Sequence, residues 1–548
     1  LRTEKNGIGK KTLLMNFSFV IYALGKLLMI FAGIMCLPTA LAFLEIYPAG
    51  FPDVFFHPNI AGFLIAVISS WVIGFLLTRW GSGRALGDNI REGFAIVTFG
   101  WVAAAFFGSL PMFIYLLSQL DVVAAVSVFG CFTDAYFENM SGFTTTGATI
   151  LTDVEVLPKG LLFWRSLTHW LGGMGIMTLA LAVFPAFGVA AYQMFRGEIP
   201  GPTAERMRPQ LKQTVAILWG VYALLTALET VLLAFGGMSL FDAVCHAFGT
   251  MATGGFSTKN ASIGYWDSPF MEWVIVVFMF LAGVNFLLHY SVLFKLDLSV
   301  LTKNGEFRFY VLVLLAAVLI TTVVLSVKEV QGHESIKTSY RHTGLSDTGA
   351  RAVEASERDR TAGLHSRVRH AAFQVVSLTT TTGYVTADFD VWPDALRMML
   401  VVLMFFGGCA GSTGGGIKMV RILVLLKVGW REVKTMIRPR LISPIKIAGQ
   451  AMEEKTVTNI LGFIALFMIL FVVFSGIMCL IIPDITTAVT AVTATMCNIG
   501  PGLSGVGATQ NYAWIPAQGK WVLILCMLLG RLEIYTVLIA LAPISWRK

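Results

Sequence analysis

The chain has 548 residues, 56% of them hydrophobic and only 13% charged. Soluble domains carry about 25% charged residues, so this composition excludes an ordinary soluble enzyme, a disordered chain and a single-span receptor. A multi-span helical membrane protein remains. Its formal charge of +8 belongs in cytoplasmic loops and implies no nucleic-acid partner.

Ten runs approach the ~20 residues that cross a hydrocarbon core. In chain order they are 27–44, 61–78, 93–120, 166–195, 213–241, 273–294, 309–327, 398–417, 456–483 and 521–543. Only Glu229 interrupts the fifth, and only Arg531 and Glu533 the tenth. The runs are continuous rather than alternating in polarity, which excludes an outer-membrane barrel. Lys and Arg cluster before the first run (Arg2, Lys5, Lys10, Lys11) and after the second, fourth, sixth and eighth, the last group running from Lys427 to Lys446. Both termini are therefore expected in the cytoplasm. The polar segment 328–370 breaks this pattern; even spacing puts it outside, and residues 331–367 read as a flexible insertion. The seven Cys sit in apolar surroundings without a CxxC pair and read as small packing residues.

A fourfold repeat underlies the runs. SGFTTTGATIL (141–151), GTMATGGFST (249–258), SLTTTTGYVTA (377–387) and TMCNIGPGLSG (495–505) each follow an apolar segment too short to span and precede a full span. Aligning the first glycine after the polar or β-branched pair equates Gly147, Gly254, Gly383 and Gly500. Non-helical backbone at membrane depth must line protein or a water-filled cavity. Four such strands around an axis can present rings of carbonyl oxygens to a dehydrated monovalent cation, with short helices near 126–140, 240–250, 369–379 and 485–496 aiming their negative ends at it. The strings hold no carboxylate, which disfavours Ca²⁺ and Mg²⁺. The predicted cation-binding filter is Thr145, Thr146 and Gly147; Ala252, Thr253 and Gly254; Thr381, Thr382 and Gly383; Asn498, Ile499 and Gly500.

The predicted fold is all-α with about ten transmembrane helices: an N-terminal two-helix segment (1–88), then pore repeats 89–190, 191–300, 301–430 and 431–548. Arg531 lies mid-span, where an unpartnered charge costs ~2.5–3.5 kcal/mol. It is expected to face the pore below the filter, with an ion pair to another helix as the alternative. Glu533, two residues on, cannot share its face. Gly411, Gly414, Gly415 and Gly416 break the eighth run and read as an unwound segment lining the cavity; the spacing there is not that of a phosphate loop. His169 reads as an interfacial hydrogen-bonding residue, Glu138 as an acid near the mouth able to attract cations, and Trp266 and Tyr512 as interface anchors.

SGFTTTGAT (141–149), HWLGGMGI (169–176), ASIGYWDSP (261–269), FFGGCAGSTGGGIK (405–418), NIGPG (498–502) and GRLEIYTVL (530–538) resemble the Trk/Ktr/HKT superfamily of potassium transporters, specifically its TrkH-type subunits. The resemblance covers the chain except 331–367. It implies a K⁺-selective pore in the bacterial inner membrane, a homodimer, and a cytosolic nucleotide-binding regulatory partner of the TrkA type. It also implies that the Gly411–Gly416 segment, with Arg531, is an intramembrane gate. No enzymatic activity or cofactor is expected, only K⁺ as the transported ion. Coupled K⁺/H⁺ or K⁺/Na⁺ symport is the alternative.

Overall fold

In hydrocarbon a backbone must satisfy its own hydrogen bonds, and the long apolar runs accordingly fold as helices. The structure, a computed structural model, describes residues 15–46, 57–81, 90–119, 127–183, 211–328, 336, 347–440, 443–447 and 450–546. The helices are α1 (Phe17–Ile46), α2 (Pro58–Trp80), α3 (Ile90–Ser118), α4 (Val128–Phe143), α5 (Lys159–Val183), α6 (Leu211–Phe235), α7 (Leu240–Met251), α8 (Pro269–Ala282) and α9 (Phe286–Lys295). They continue with α10 (Ser299–Lys303), α11 (Gly305–Val327), α12 (Asp347–Arg360), α13 (Leu364–Thr379), α14 (Asp394–Met404), α15 (Met419–Ile437) and α16 (Glu454–Ile481). The last are α17 (Ile485–Met496), α18 (Ala517–Arg531), α19 (Ile534–Leu541) and α20 (Pro543–Trp546). A short antiparallel hairpin, β1 (Lys446–Ile447) with β2 (Gln450–Ala451), precedes α16.

Among the described residues, six helices are long and apolar enough to cross a membrane: α1, α2, α3, α6, α11 and α16. Two further crossings are broken. The α8–α9 pair bends by 104° and the α18–α19 pair by 113°. The eighth apolar run is also no single helix, because α14 and α15 are separated by residues 405–418. Uncharged length thus overstates the number of continuous helices: glycines and asparagine end α8 at Gly283 and Asn285, and α18 stops just past Gly530.

Helices α1 and α2 cross so closely that a Cβ on Gly25 would lie 2.6 Å from the Gly74 carbonyl oxygen, the small-residue contact that lets membrane helices approach. This pair packs on repeat one through Phe31, whose ring lies 5.9 Å from Phe143 and 5.8 Å from Trp164. Trp164 donates to the Gly108 carbonyl (2.9 Å) and to Asn139 Oδ1 (3.0 Å), so its one polar atom is satisfied inside the core.

The four short helices α4, α7, α13 and α17 begin at Ser127, Ser239, Gly363 and Asp484. Three of these residues cap the helix with a side-chain oxygen: Ser127 accepts from Gly130 N, Ser239 from Asp242 N, and Asp484 from Thr486 and Thr487 N.

The reading of 331–367 as a flexible insertion is corrected in part. Residues 331–335 and 337–346 lie outside the described set, but Asp347–Arg360 is helical and docked. Ala350 packs with Ile336 and Val391, Glu357 Oε1 accepts from Asp388 N (3.1 Å), and Arg360 donates to the Thr386 carbonyl. Its polar composition hid these contacts, which are made to the strand leaving α13. The third short helix also starts at Leu364, inside the interval assigned to the insertion.

Candidate ion pathway

Each short helix ends the same way. The N–H of Thr146, Gly254, Thr382 and Ile499 donates to the carbonyl five residues earlier, on Ser141, Gly249, Ser377 and Ala494, at 2.8 Å in every case. The residue before each, Thr145, Thr253, Thr381 or Asn498, is left-handed, with φ of 49°, 54°, 63° and 57°. Three of these are threonines, for which that conformation is strained, and strain of this kind persists where the surroundings over-determine the backbone. The residue after each donor is a second left-handed position: Gly147, Gly255, Gly383 and Gly500, with φ of 77°, 80°, 80° and 100°.

This geometry corrects the repeat alignment by one residue. Gly254 is equivalent to Thr146, Thr382 and Ile499, not to the other glycines, and Gly255 takes the glycine position. Two adjacent glycines in the second string made the register ambiguous by sequence.

The four strands close on one another in cyclic order. A Cβ on Gly147 would lie 2.2 Å from the Gly254 carbonyl oxygen, one on Gly255 2.1 Å from that of Thr382, one on Gly383 1.8 Å from that of Ile499, and one on Gly500 2.8 Å from that of Thr146. Each repeat therefore sets its glycine against the carbonyl of the next, and the fourth returns to the first. Glycine is required twice over, by its φ and by this contact. Below the ring, Thr144 and Thr146 share a hydroxyl contact of 2.8 Å, as do Thr380 and Thr382, and Asn498 Nδ2 donates to Thr146 Oγ1 (2.9 Å) and to the Met527 carbonyl (3.0 Å).

The outer strands repeat the cycle. Val154 N donates to Asn260 Oδ1 (2.8 Å), Gly264 N to the Val385 carbonyl (3.1 Å), Ser504 N to Asp390 Oδ2 (2.9 Å) and Tyr512 N to the Thr149 carbonyl (2.8 Å), joining repeats one to two, two to three, three to four and four to one. Between them lies a cavity of about 140 Å³ that reaches Gly147, Gly255, Gly383 and Gly500.

Three residues play other parts than their sequence context indicates. Glu138 is not an exposed cation trap. It is fully buried, accepts from Ile150 N (2.9 Å), and pairs with Arg165 at 2.8 Å. That guanidinium lies 4.1 Å over Phe256, so the pair joins the first strand to the second. His169 does hydrogen-bond, accepting from Phe256 N at 3.4 Å, but from a buried position, stacked 4.1 Å from Phe256 behind Gly254. Tyr512 is no surface anchor either, since its hydroxyl donates to the Gly500 carbonyl at 2.7 Å. Nothing in the local sequence distinguishes these residues from ordinary span-end polar groups.

The Gly-rich segment 405–418 lies under the ends of the short helices. Gly415 N donates to Thr381 Oγ1 (2.7 Å), Thr413 Oγ1 donates to the Met251 carbonyl (2.9 Å), and a Cβ on Gly415 would lie 2.6 Å from the Cys497 carbonyl oxygen. Gly414 approaches the Thr380 carbonyl, while Gly411 and Gly416 take left-handed φ of 77° and 62°. Arg531 donates from Nη1 to the Thr413 carbonyl (2.7 Å) and from Nη2 to the Gly172 carbonyl (2.8 Å). The arginine thus clamps the segment to repeat one through carbonyls rather than through an ion pair. Glu533 turns elsewhere and pairs with Arg421 at 2.6 Å.

Sequence reasoning missed Glu306. One carboxylate oxygen of this buried side chain accepts from Ala410 N (2.7 Å) and Val420 N (3.1 Å), one N–H within the Gly-rich segment and one just past its end. As a first-turn acid on α11 it carried no signal beyond favourable helix polarity.

The broken spans and the closed ring of four loops define a multi-pass membrane protein of the transporter and channel class. Family comparison narrows this: the profile of the TrkH family, described as a cation transport protein, matches residues 58–548, and the chain belongs to that family. It is 37% identical over 536 residues to the Trk system potassium uptake protein TrkH of Salmonella typhimurium, covering 97% of this chain and 100% of that one. It is 32% identical to the Trk system potassium uptake protein TrkG of Escherichia coli, covering 86% of this chain and 88% of that one. The crystal structure of the potassium transporter TrkH from Vibrio parahaemolyticus superimposes with a TM-score of 0.79 at 32% identity, covering 97% of this chain and 100% of that one.

Proposed function

We propose that this chain takes up K⁺ across the bacterial inner membrane, through a pore formed by its four repeats and closed by the segment 405–418 with Arg531. The observation that carries this reading is the cyclic glycine-to-carbonyl contact at Gly147, Gly255, Gly383 and Gly500. It brings the carbonyls of Thr146, Gly254, Thr382 and Ile499 to one level, and a ring of carbonyl dipoles without fixed charge suits a dehydrated monovalent cation. The repeats are assigned as 89–190, 191–300, 301–430 and 431–548, after an N-terminal pair of spans within 1–88. Both termini lie in the cytoplasm. The active form is a homodimer working with a cytosolic TrkA-type nucleotide-binding subunit, in keeping with relatives named as parts of a Trk system.

The segment 405–418 supports a gating role because it touches the ends of α7, α13 and α17 and reaches repeat one through Arg531. An uncoiled segment held by a few replaceable hydrogen bonds can move between two arrangements, as a gate requires. Rb⁺ flux into proteoliposomes tests the function. Uptake should follow the Rb⁺ gradient and persist when the proton and Na⁺ gradients are collapsed. Flux that stops without one of those gradients would instead make the protein a coupled symporter.

A further inference from the structure

A second cavity, of about 510 Å³, opens where α11 begins and α15 passes. Four cations line it: Lys303 and Arg308 flank the start of α11, Lys427 comes from α15, and Lys446 from the β-hairpin. Among the described residues, no acid lines it and none of the four makes an ion pair. Of the acids close in sequence, Glu432 and Glu454 pair with Arg431, and the two beside Lys303 and Arg308 are engaged or peripheral. Glu306 points inward to Ala410 N and Val420 N, and the exposed Asp297 sits in the turn before α10. Lys427 donates to the Lys446 carbonyl, which ties the hairpin to α15 and holds two of the cations side by side.

The remaining wall is apolar, formed by Phe309, Leu312, Leu423 and Ile447. Leu312 is 65% exposed and opens an outward stripe that continues through Leu315, Leu319 and Val323 along α11. The cavity therefore joins a cluster of cations to a surface that faces acyl chains. A free anion would use only the first feature and a hydrophobic peptide only the second. An anionic phospholipid matches both, because its phosphate meets the cations while its chains follow the stripe. We propose that this cavity binds the headgroup of an anionic phospholipid, with Lys303, Arg308, Lys427 and Lys446 as its phosphate ligands.

The placement gives the lipid a consequence. Gly305 and Arg308 flank Glu306, which holds both the Gly-rich segment and the start of α15, while Lys427 lies on α15 itself. A headgroup bridging the two sides would fix the base of that segment. The proposal rests on the orientation given above only for the leaflet concerned. Labelling of a Lys303→Cys variant from either side of a sealed vesicle tests the leaflet separately from lipid binding.

The test is native mass spectrometry of the full-length protein in detergent, titrated with phosphatidylglycerol or phosphatidylcholine. The parent should retain phosphatidylglycerol in preference. Neutralising Lys303→Gln, Arg308→Gln, Lys427→Gln and Lys446→Gln in turn should weaken retention by about fivefold per cation, and the quadruple variant should lose the preference. An Arg438→Gln/Arg440→Gln control, outside the cavity, should keep it, and a Lys427→Arg/Lys446→Arg variant guards against loss through misfolding. A folded quadruple variant that keeps the parent's preference would overturn the proposal. So would displacement of phosphatidylglycerol by inorganic phosphate at equal concentration, which would mark a free-anion site.

Discussion

Glu306 gives the sharpest handle on the gate. Its single oxygen accepts from Ala410 N at 2.7 Å and Val420 N at 3.1 Å, so one side chain pins the Gly-rich segment and the first turn of α15 together. A carboxylate accepts about 1 kcal/mol more strongly per bond than a neutral amide oxygen. Glu306→Gln keeps the shape but weakens two bonds, roughly 2 kcal/mol in total. Glu306→Leu leaves two buried N–H groups unpaired, at about 1–3 kcal/mol each. If both bonds belong to the closed arrangement alone, 2 kcal/mol raises the open population by roughly thirtyfold, and Leu raises it further. The assay is initial Rb⁺ uptake by proteoliposomes without any partner protein, at equal protein content. Flux unchanged in both variants, with parental thermal stability, would refute the assignment of Glu306 as a latch on the closed state.

The ring makes a separate prediction about register. Gly255→Ala should abolish K⁺ selectivity and resist rescue, because its Cβ meets a backbone oxygen at 2.1 Å and its φ is 80°. Gly254→Ala meets the His169 ring first, at 2.3 Å to Nδ1, and should be partly rescued by His169→Ala; Rb⁺ against Na⁺ uptake reads both. Glu138→Gln should lower the unfolding midpoint steeply, since stranding a buried Arg165 costs about 3–5 kcal/mol, and Glu138→Leu/Arg165→Met should recover much of it. Arg531→Gln should raise partner-free flux by releasing the Thr413 carbonyl. Glu357→Ala/Arg360→Ala should increase Na⁺ leak by freeing residues 386–388, and unchanged Rb⁺/Na⁺ discrimination would show that α12 has no hold on the third strand.

Composition and periodicity made the membrane class and the four short helices legible. The apolar runs are set by hydrocarbon thickness, and a helix too short to cross, followed by a Gly-rich string, must turn back against protein or water. Register was harder. Gly254 and Gly255 differ only in φ and in which neighbour lies against them, and neither is written in a pair of identical letters. Partners separated along the chain were invisible for the same reason: Arg165 with Glu138, Tyr512 with Gly500 and Glu306 with Ala410 are each joined by one repeat folding back on itself. Helix α12 was hidden differently, because a polar sequence can dock through a few buried contacts such as Ala350 and Glu357 without the apolar signature of a core.

The central claim is that the four loops form one cation site. Anomalous diffraction from crystals of the protein soaked in Rb⁺ tests it most directly. A peak is expected on the axis enclosed by the carbonyl oxygens of Thr146, Gly254, Thr382 and Ile499, lost in a Gly255→Ala variant. Flux-competent protein whose Rb⁺ peaks all lie away from those four carbonyls would contradict the account.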